Sequence, residues 1–241
     1  MRLDKILADS GYGSRKEVKS LLKQGLVFVN GEKVLQAKLQ LDPEKDEIVV
    51  NGEILTYKKE IYLMMNKAAG VLTATRDNSQ ATVLDDIDPI YRRKELYPVG
   101  RLDKDTTGLL LLTTDGQLGH RLLSPKWHVE KEYQALVKGP LPTDACQRFA
   151  SGMTIDGGEI CRPARLVLTE KAETVPYQVV YISLTEGKFH QVKRMVKALG
   201  SEVLALKRVS MGSLKLDPQL KAGEYRELTQ KELRDLSNNM V

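Results

Sequence analysis

The chain is poor in the residues that staple or metallate small folds. It has two cysteines, Cys146 and Cys161, in 241 residues. That number excludes a disulfide framework and a four-cysteine zinc site. Its three histidines, His120, His128 and His190, share no metal-ligand spacing. No apolar run approaches the roughly 20 residues of a membrane-spanning helix, and no segment is of low complexity. The opening MRLDKILADSG carries acids among its apolar residues and lacks the apolar stretch of a secretory signal. The expectation is a cytoplasmic protein without a membrane partner or metal site.

What is present is an ordinary globular balance, 41% hydrophobic and 29% charged. The net charge of +5 is unevenly spread. Residues 1–40 hold eight basic and four acidic side chains, and residues 186–215 hold seven and two. The rest of the chain is mildly acidic. Two basic segments on an acidic background suggest a polyanion, most simply nucleic acid.

The N-terminal part reads as helix, helix, hairpin. Leu3, Ile6 and Leu7 share a helical face. Ser14 and Glu17 have the spacing of a capping box, followed by Val18, Leu21 and Leu22, with Gly25 as the stop. Asn30-Gly31 and Asn51-Gly52 each sit between short apolar runs, the spacing of two-residue hairpin turns. Arg15, Lys16, Lys19 and Lys23 cluster on the second helix, with Arg2 nearby. A helix start also offers free N–H groups to phosphate. RLDKILAD followed by GSRKEVKSLLKQGLVFVNG resembles the alpha-L RNA-binding motif named for ribosomal protein S-four. That resemblance implies phosphate and shape recognition of structured RNA by Arg2, Arg15, Lys16, Lys19 and Lys23. Lys58-Lys59-Glu60 reads as a linker, giving domains 1–58 and 61–241.

Residues 61–241 alternate strand-like and helix-like stretches without a βαβ rhythm, which predicts an α+β fold with a mainly antiparallel sheet. Strands are expected at 61–65, 108–113, 133–137, 165–169, 178–184, 203–209 and 225–228. Helices are expected at 117–123, 144–150, 190–199 and 230–237, the last with a Thr229–Glu232 capping box.

The segment Pro98–Gly108, PVGRLDKDTTG, packs two glycines, an arginine, a lysine and two aspartates before the apolar strand Leu109–Leu112. A carboxylate beside cations stays ionised and is suited to act as nucleophile or base. Salt-bridged turns share this composition, so the loop's chemistry alone leaves both readings open. GRLD followed by TGLLLLT resembles the catalytic motif of RNA pseudouridine synthases. Asn66–Gly70 (K-x-x-G), Lys131–Tyr133 (K-x-Y) and Glu186–Val196 (EGKFHQVKRMV) fall in the order of that superfamily. One departure is Ala68, where proline is common. With the N-terminal module, the combination resembles the RsuA branch, bacterial enzymes of ribosomal RNA. SPKWHVEKEY and EGKFHQVKRMV are most similar to its small-subunit (16S) members.

The resemblance implies conversion of a uridine in 16S rRNA, naked or in a partly assembled subunit, to pseudouridine by a monomer without cofactor or metal. It implies Asp103 as nucleophile, toward either the ribose or the uracil ring, on a flipped-out nucleotide. Arg101 would fill the vacated space or hold phosphate, Tyr133 would stack on uracil, and Lys67 would contact RNA. On a helix from His190, the apolar face is Val192, Met195, Val196 and Leu199. Lys193 borders that face, within reach of a half-buried carboxylate. Arg194 points away from it, toward a phosphate. The family pattern agrees on Lys193 as partner of the catalytic aspartate, although arginine is frequent there. Cys146 and Cys161 are expected to be buried, and Trp127 to pack against a loop. Competing readings are a non-catalytic RNA-binding protein, a synthase of 23S rRNA, and a two-carboxylate glycosidase. The last is disfavoured because Asp103 and Asp105 are only two residues apart.

Overall fold

The computed structural model describes residues 1–58, 60–92, 95–169 and 176–238. Lys59 of the expected linker lies outside the described residues. The chain forms two compact units, Met1–Ile61 with Ile87–Leu96, and Tyr62–Asp86 with Tyr97–Val241. The sequence suggested two contiguous domains; it held no sign that Ile87–Leu96 would group with the first unit.

In the first unit, α1 (Leu3–Asp9) and α2 (Arg15–Lys23) precede β1 (Val27–Val29), β2 (Glu32–Lys33), β3 (Ile48–Val50) and β4 (Glu53–Ile54). The short α3 (Pro89–Arg92) lies in its second segment. The capping box is formed: Glu17 N–H donates to Ser14 Oγ, and Ser14 N–H donates to Glu17 Oε2 at 2.6 Å. The strands order as β2-β1-β3-β4. Both hairpin turns place Asn and Gly at positive φ, 51° and 81° at Asn30-Gly31, 54° and 84° at Asn51-Gly52. That is the type I′ geometry, whose twist matches the flanking strands. Leu3, Ile6, Leu7, Val18 and Leu22 bury their side chains against Val27, Ile48 and Val50.

The second unit is built on a nine-stranded sheet. Its strands are β5 (Tyr62–Lys67), β6 (Tyr97–Pro98), β7 (Thr107–Thr113), β8 (Lys131–Lys138), β9 (Arg165–Leu168), β10 (Tyr177–Leu184), β11 (Glu202–Met211), β12 (Leu214–Lys215) and β13 (Tyr225–Glu227). The order is β13-β5-β7-β11-β8-β10-β9, with β6 on β7 and β12 on β11. Every pairing is antiparallel except β7 with β11. The α+β class and the strands and helices expected from the sequence are present, with boundaries moved by a few residues. The two-residue strands β6 and β12 gave no periodic signal.

Among the described residues, the α-helices of this unit are α4 (Gly116–Leu123), α5 (Ala145–Ser151), α6 (Gln191–Ala198) and α7 (Gln230–Asn238). Asp115 caps α4 by accepting from Gln117 and Leu118 N–H, both at 3.0 Å. Phe149 of α5 and Val192, Met195 and Val196 of α6 pack with Ala135, Val137, Val180 and Ile182. Leu118, Leu122 and Leu236 form a second core with Met64, Leu109, Leu111 and Met211. Full burial of each such side chain is worth about 1.5–3 kcal/mol. Cys161 is buried as expected, but Cys146 is exposed on the outer side of α5. Trp127 is 37% exposed, not packed away. Among the described residues, no helix is long and apolar enough to cross a membrane.

Candidate active site

The site forms on the turn between β6 and β7, because that turn is fixed from several directions. Gly100 takes φ +80°, a conformation that side chains rarely adopt. Thr73 Oγ1 donates to the Leu102 carbonyl at 2.8 Å, and Leu102 N–H donates back at 3.2 Å. Gly70 N–H donates to the Lys104 carbonyl, and Thr106 N–H to the Asp103 carbonyl. Gly108, the second residue of β7, takes φ +98°; a Cβ there would lie 2.2 Å from the Arg208 carbonyl oxygen. Only glycine lets β11 approach this closely.

Lys67 completes the turn from within. Its side chain is fully buried, and Nζ donates to the carbonyls of Ala68, Lys104 and Thr106 at 3.0, 3.2 and 3.0 Å. All three ammonium protons are used. Burial brings its pKa down to about 8, against the upward pull of Asp105 and Asp103. The expectation that Lys67 contacts RNA is therefore corrected: the ammonium ties the catalytic-type turn together and has no donor left for a phosphate.

Asp103 is held with its carboxylate partly open to solvent, 26% exposed. Lys193 Nζ lies 3.0 Å from Asp103 Oδ2 and 2.6 Å from Asp105 Oδ1. The border position on α6 thus puts Lys193 beside Asp103 as the helix phase indicated; its second partner, Asp105, was not foreseen. Burial pulls the Lys193 pKa down, but hydrogen bonds to Asp105 and Asp103 outweigh it and the net shift is upward. Lys193 in turn holds the Asp105 carboxyl below its usual range. His190 Nε2 stands 3.6 Å from Asp103 Oδ1.

A cleft of about 510 Å³ opens over this carboxylate, large enough for a small ligand. Arg101, Tyr133, Lys131, Phe189 and His190 line it with Asp103. Arg101 is exposed and makes no ion pair among the described residues. Tyr133 sits on β8 with its ring partly packed on the core of α5 and α6. Lys131, two residues earlier on the same strand face, was missed as a site residue although the K-x-Y spacing marked it. It is 8% exposed, donates to the Val129 carbonyl at 3.1 Å, and is brought down to about 8 by burial and by the charge of Arg208.

Arg194 departs from its expected role. It points away from the apolar face of α6, but two acids meet it there. Nη1 lies 2.7 Å from Glu159 Oε2, Nε bonds Asp156, and Nη2 donates to the Asp156 carbonyl at 2.7 Å. Helix phase alone carries no sign of the Asp156–Gly158 turn, whose Asp156 bonds this arginine. In the first unit, Arg2 forms a fork to the buried Asp4, at 3.0 and 2.6 Å. Arg15, Lys16, Lys19 and Lys23 are exposed on α2 and make no ion pair among the described residues.

A family described as RNA pseudouridylate synthase matches residues 61–198, and the S4 domain family matches residues 1–48. The chain belongs to the RNA pseudouridylate synthase family. The synthase is 51% identical, over 98% of both chains, to the uncharacterized RNA pseudouridine synthase YtzG of Bacillus subtilis. It is 39% identical to ribosomal small subunit pseudouridine synthase A of Haemophilus influenzae, over 98% of this chain and 99% of the relative. It is 35% identical to ribosomal large subunit pseudouridine synthase B of Bacillus subtilis, over 98% and 95%. A crystal structure titled pseudouridylate synthase aligns over 98% of the synthase and 99% of that chain, with TM-score 0.67 and 37% identity. The synthase is an RNA-modifying isomerase with an RNA-binding domain at its N-terminus.

Proposed function

We propose that the synthase converts a specific uridine of small-subunit (16S) rRNA to pseudouridine, with Asp103 as the nucleophile. The observation that carries the reading is the Asp103 carboxylate at the foot of the cleft, paired with Lys193 at 3.0 Å. The higher identity to a small-subunit enzyme, 39% against 35% for a large-subunit one, favours 16S rRNA.

The reaction breaks the bond between uracil N1 and ribose C1′ and makes one between C5 and C1′. The C5 proton is lost and N1 gains one, so nothing is oxidised and no cofactor is needed. A duplex hides the glycosidic bond, so the uridine enters the cleft flipped from its stack. Lys193 pairs with the Asp103 carboxylate at 3.0 Å and holds it in place for attack. Tyr133 lies against the uracil face, and Arg101 occupies the space the base has left. Arg15, Lys16, Lys19 and Lys23 on α2, with Arg2 at the start of α1, contact phosphates and set the position of the RNA. The substrate is free 16S rRNA or a partly assembled small subunit, bound by a monomer.

The test is tritium release from RNA labelled at uracil C5, using naked 16S transcript, 23S transcript and partly assembled small subunits. Release from a 16S substrate and mapping of a single pseudouridine support the reading. Release from the 23S transcript alone reassigns the substrate; release by Asp103→Asn removes Asp103 from its role.

A further inference from the structure

The segment between β10 and α6 is rigidly held, yet it presents a bare aromatic ring. Lys188 N–H donates to Gln191 Oε1 at 2.9 Å, and Gln191 Nε2 donates to Glu186 Oε1 at 2.6 Å. Arg162 N–H donates to the same Glu186 oxygen at 2.9 Å. Lys188 pairs with Glu159 at 3.0 Å, and Arg194 Nη1 donates to the Phe189 carbonyl at 3.1 Å. Every one of these bonds uses main chain or a neighbouring side chain. None uses the Phe189 ring, which is 75% exposed at the rim of the cleft.

One face of that ring is already covered. His190 stacks on it with ring centroids 3.8 Å apart and planes 21° from parallel. The same imidazole stands 3.6 Å from Asp103. The order from the carboxylate outward is Asp103, His190, Phe189, then solvent. Phe189 is a single ring on a polar rim that includes the exposed cation Arg101. That arrangement fits a planar, polyanion-borne ligand better than an extended apolar protein surface.

We propose that Phe189, backed by His190, is a stacking platform for the nucleobase adjacent in the RNA strand to the target uridine. The inference rests on the reading of the cleft as a uridine site. Tyr133 and Asp103 take the target base, and the free face of Phe189 takes its neighbour. Stacking is tolerant of base identity, since every base has a π face, so the platform orients the strand and leaves selection to the cleft. Arg194 acts here as a positioning residue that holds the Phe189 carbonyl.

Two measurements on the full-length synthase test this. In the first, tritium release from 16S transcript is compared for wild type, Phe189→Ala, Phe189→Leu and Phe189→Tyr, with circular dichroism as the fold control. Removing one stacked base corresponds to roughly five- to hundred-fold in affinity. Phe189→Ala and Phe189→Leu should raise KM by that factor, and Phe189→Tyr should stay within about three-fold of wild type. In the second, Trp127, the one tryptophan, is replaced in the double variant Trp127→Phe/Phe189→Trp, leaving a single indole on the platform. Its fluorescence should be quenched by the 16S transcript. Equal KM for Phe189→Leu and Phe189→Tyr, an unchanged Phe189→Ala, or an indole that RNA does not quench overturns the platform. Absence of any tritium release by wild type overturns the functional reading instead, and the indole signal with the same transcript still decides the platform. If Phe189→Ala does not fold, the Leu and Tyr pair and the indole carry the decision.

Discussion

Lys193 is shared between two aspartates: its ammonium lies 3.0 Å from Asp103 and 2.6 Å from Asp105. Asp105 is 73% exposed and Asp103 only 26%. Lys193 therefore bridges a half-buried carboxylate and an exposed one, and its hydrogen bond holds the Asp105 carboxyl below its usual range.

Replacing Asp103 by Asn keeps the shape of the turn and removes the charge. Tritium release should vanish, and affinity for 16S transcript should change by less than about three-fold, the scale of one modest hydrogen bond. A variant that turns over at the wild-type rate would remove the nucleophile from the scheme.

Lys193→Met leaves the Asp103 carboxylate without its cation. A charged hydrogen bond is worth about 1.5–3 kcal/mol, so kcat should fall roughly ten- to hundred-fold with little change in KM. Asp105→Asn, which frees Lys193 for Asp103, should retain most activity. Steady-state kinetics on the two variants separates the roles; equal losses would mean that the pair acts as one unit.

Arg194→Met should behave as a packing and positioning defect. It leaves Asp156 without its cation and Glu159 with Lys188 alone, so Tm should fall. The slope of log affinity against log salt for RNA should not change. A slope that flattens by the amount of one phosphate, about 0.7–0.9, would return Arg194 to the RNA interface.

The basic face of α2 gives the opposite pattern. Lys16→Gln, Lys19→Gln and Lys23→Gln combined should flatten that slope by about 0.7–0.9 for every phosphate that is no longer neutralised, and kcat at saturating RNA should hold. Filter binding over a salt series reads the slope, and tritium release at saturating transcript reads kcat. An unchanged slope would take α2 out of the interface.

Lys131 supplies a pH test. Its folded pKa is about 8, below the ordinary 10.5, with burial as the main cause. Below pH 8 both folded and unfolded chains carry the proton, and the cost of burying the charge is fully present. Between about 8 and 10.5 the folded chain sheds the proton first, the unfolded state binds more protons, and stability rises with pH. Wild type should therefore gain stability relative to Lys131→Met as pH rises through that window. Denaturant midpoints at about pH 7 and pH 10 measure it, and a constant difference would mean that Lys131 is not desolvated as described.

Much of this was legible in the chain because local rules and long-range packing agree. The Ser14–Glu17 cap, both Asn-Gly turns and the helix phase that puts Lys193 at the border of the apolar face all follow from spacing; Asp103 as its partner comes from the family resemblance. What spacing could not supply was the partner across the fold. Lys67 has the look of a surface cation in the sequence, and only the folded chain brings three carbonyls around it. Arg194 points the expected way, but its surroundings come from residues 35 positions or more upstream. Lys131 is marked by strand alternation with Tyr133, yet a lysine is normally exposed, and burial of this one has no local signal. The short strands β6 and β12 are held by their neighbours and carry no pattern of their own.

The parallel pairing of β7 with β11 has a consequence for how the enzyme is made. It joins Thr107 to Lys207 and Gly108 to Arg208 across a hundred residues of chain, and such pairings form slowly because a long loop must close first. A ribosome adds about 5–20 residues per second, so β11 emerges on the order of 5–20 s after β7. The turn bearing Asp103 exists in the nascent chain well before Lys193 and the strand that locks Gly108 in place. The first unit, complete in its helices and hairpins by then, meets no such delay. A chain interrupted before β11 is complete is therefore left with the first unit and with the Asp103 turn still lacking its lock.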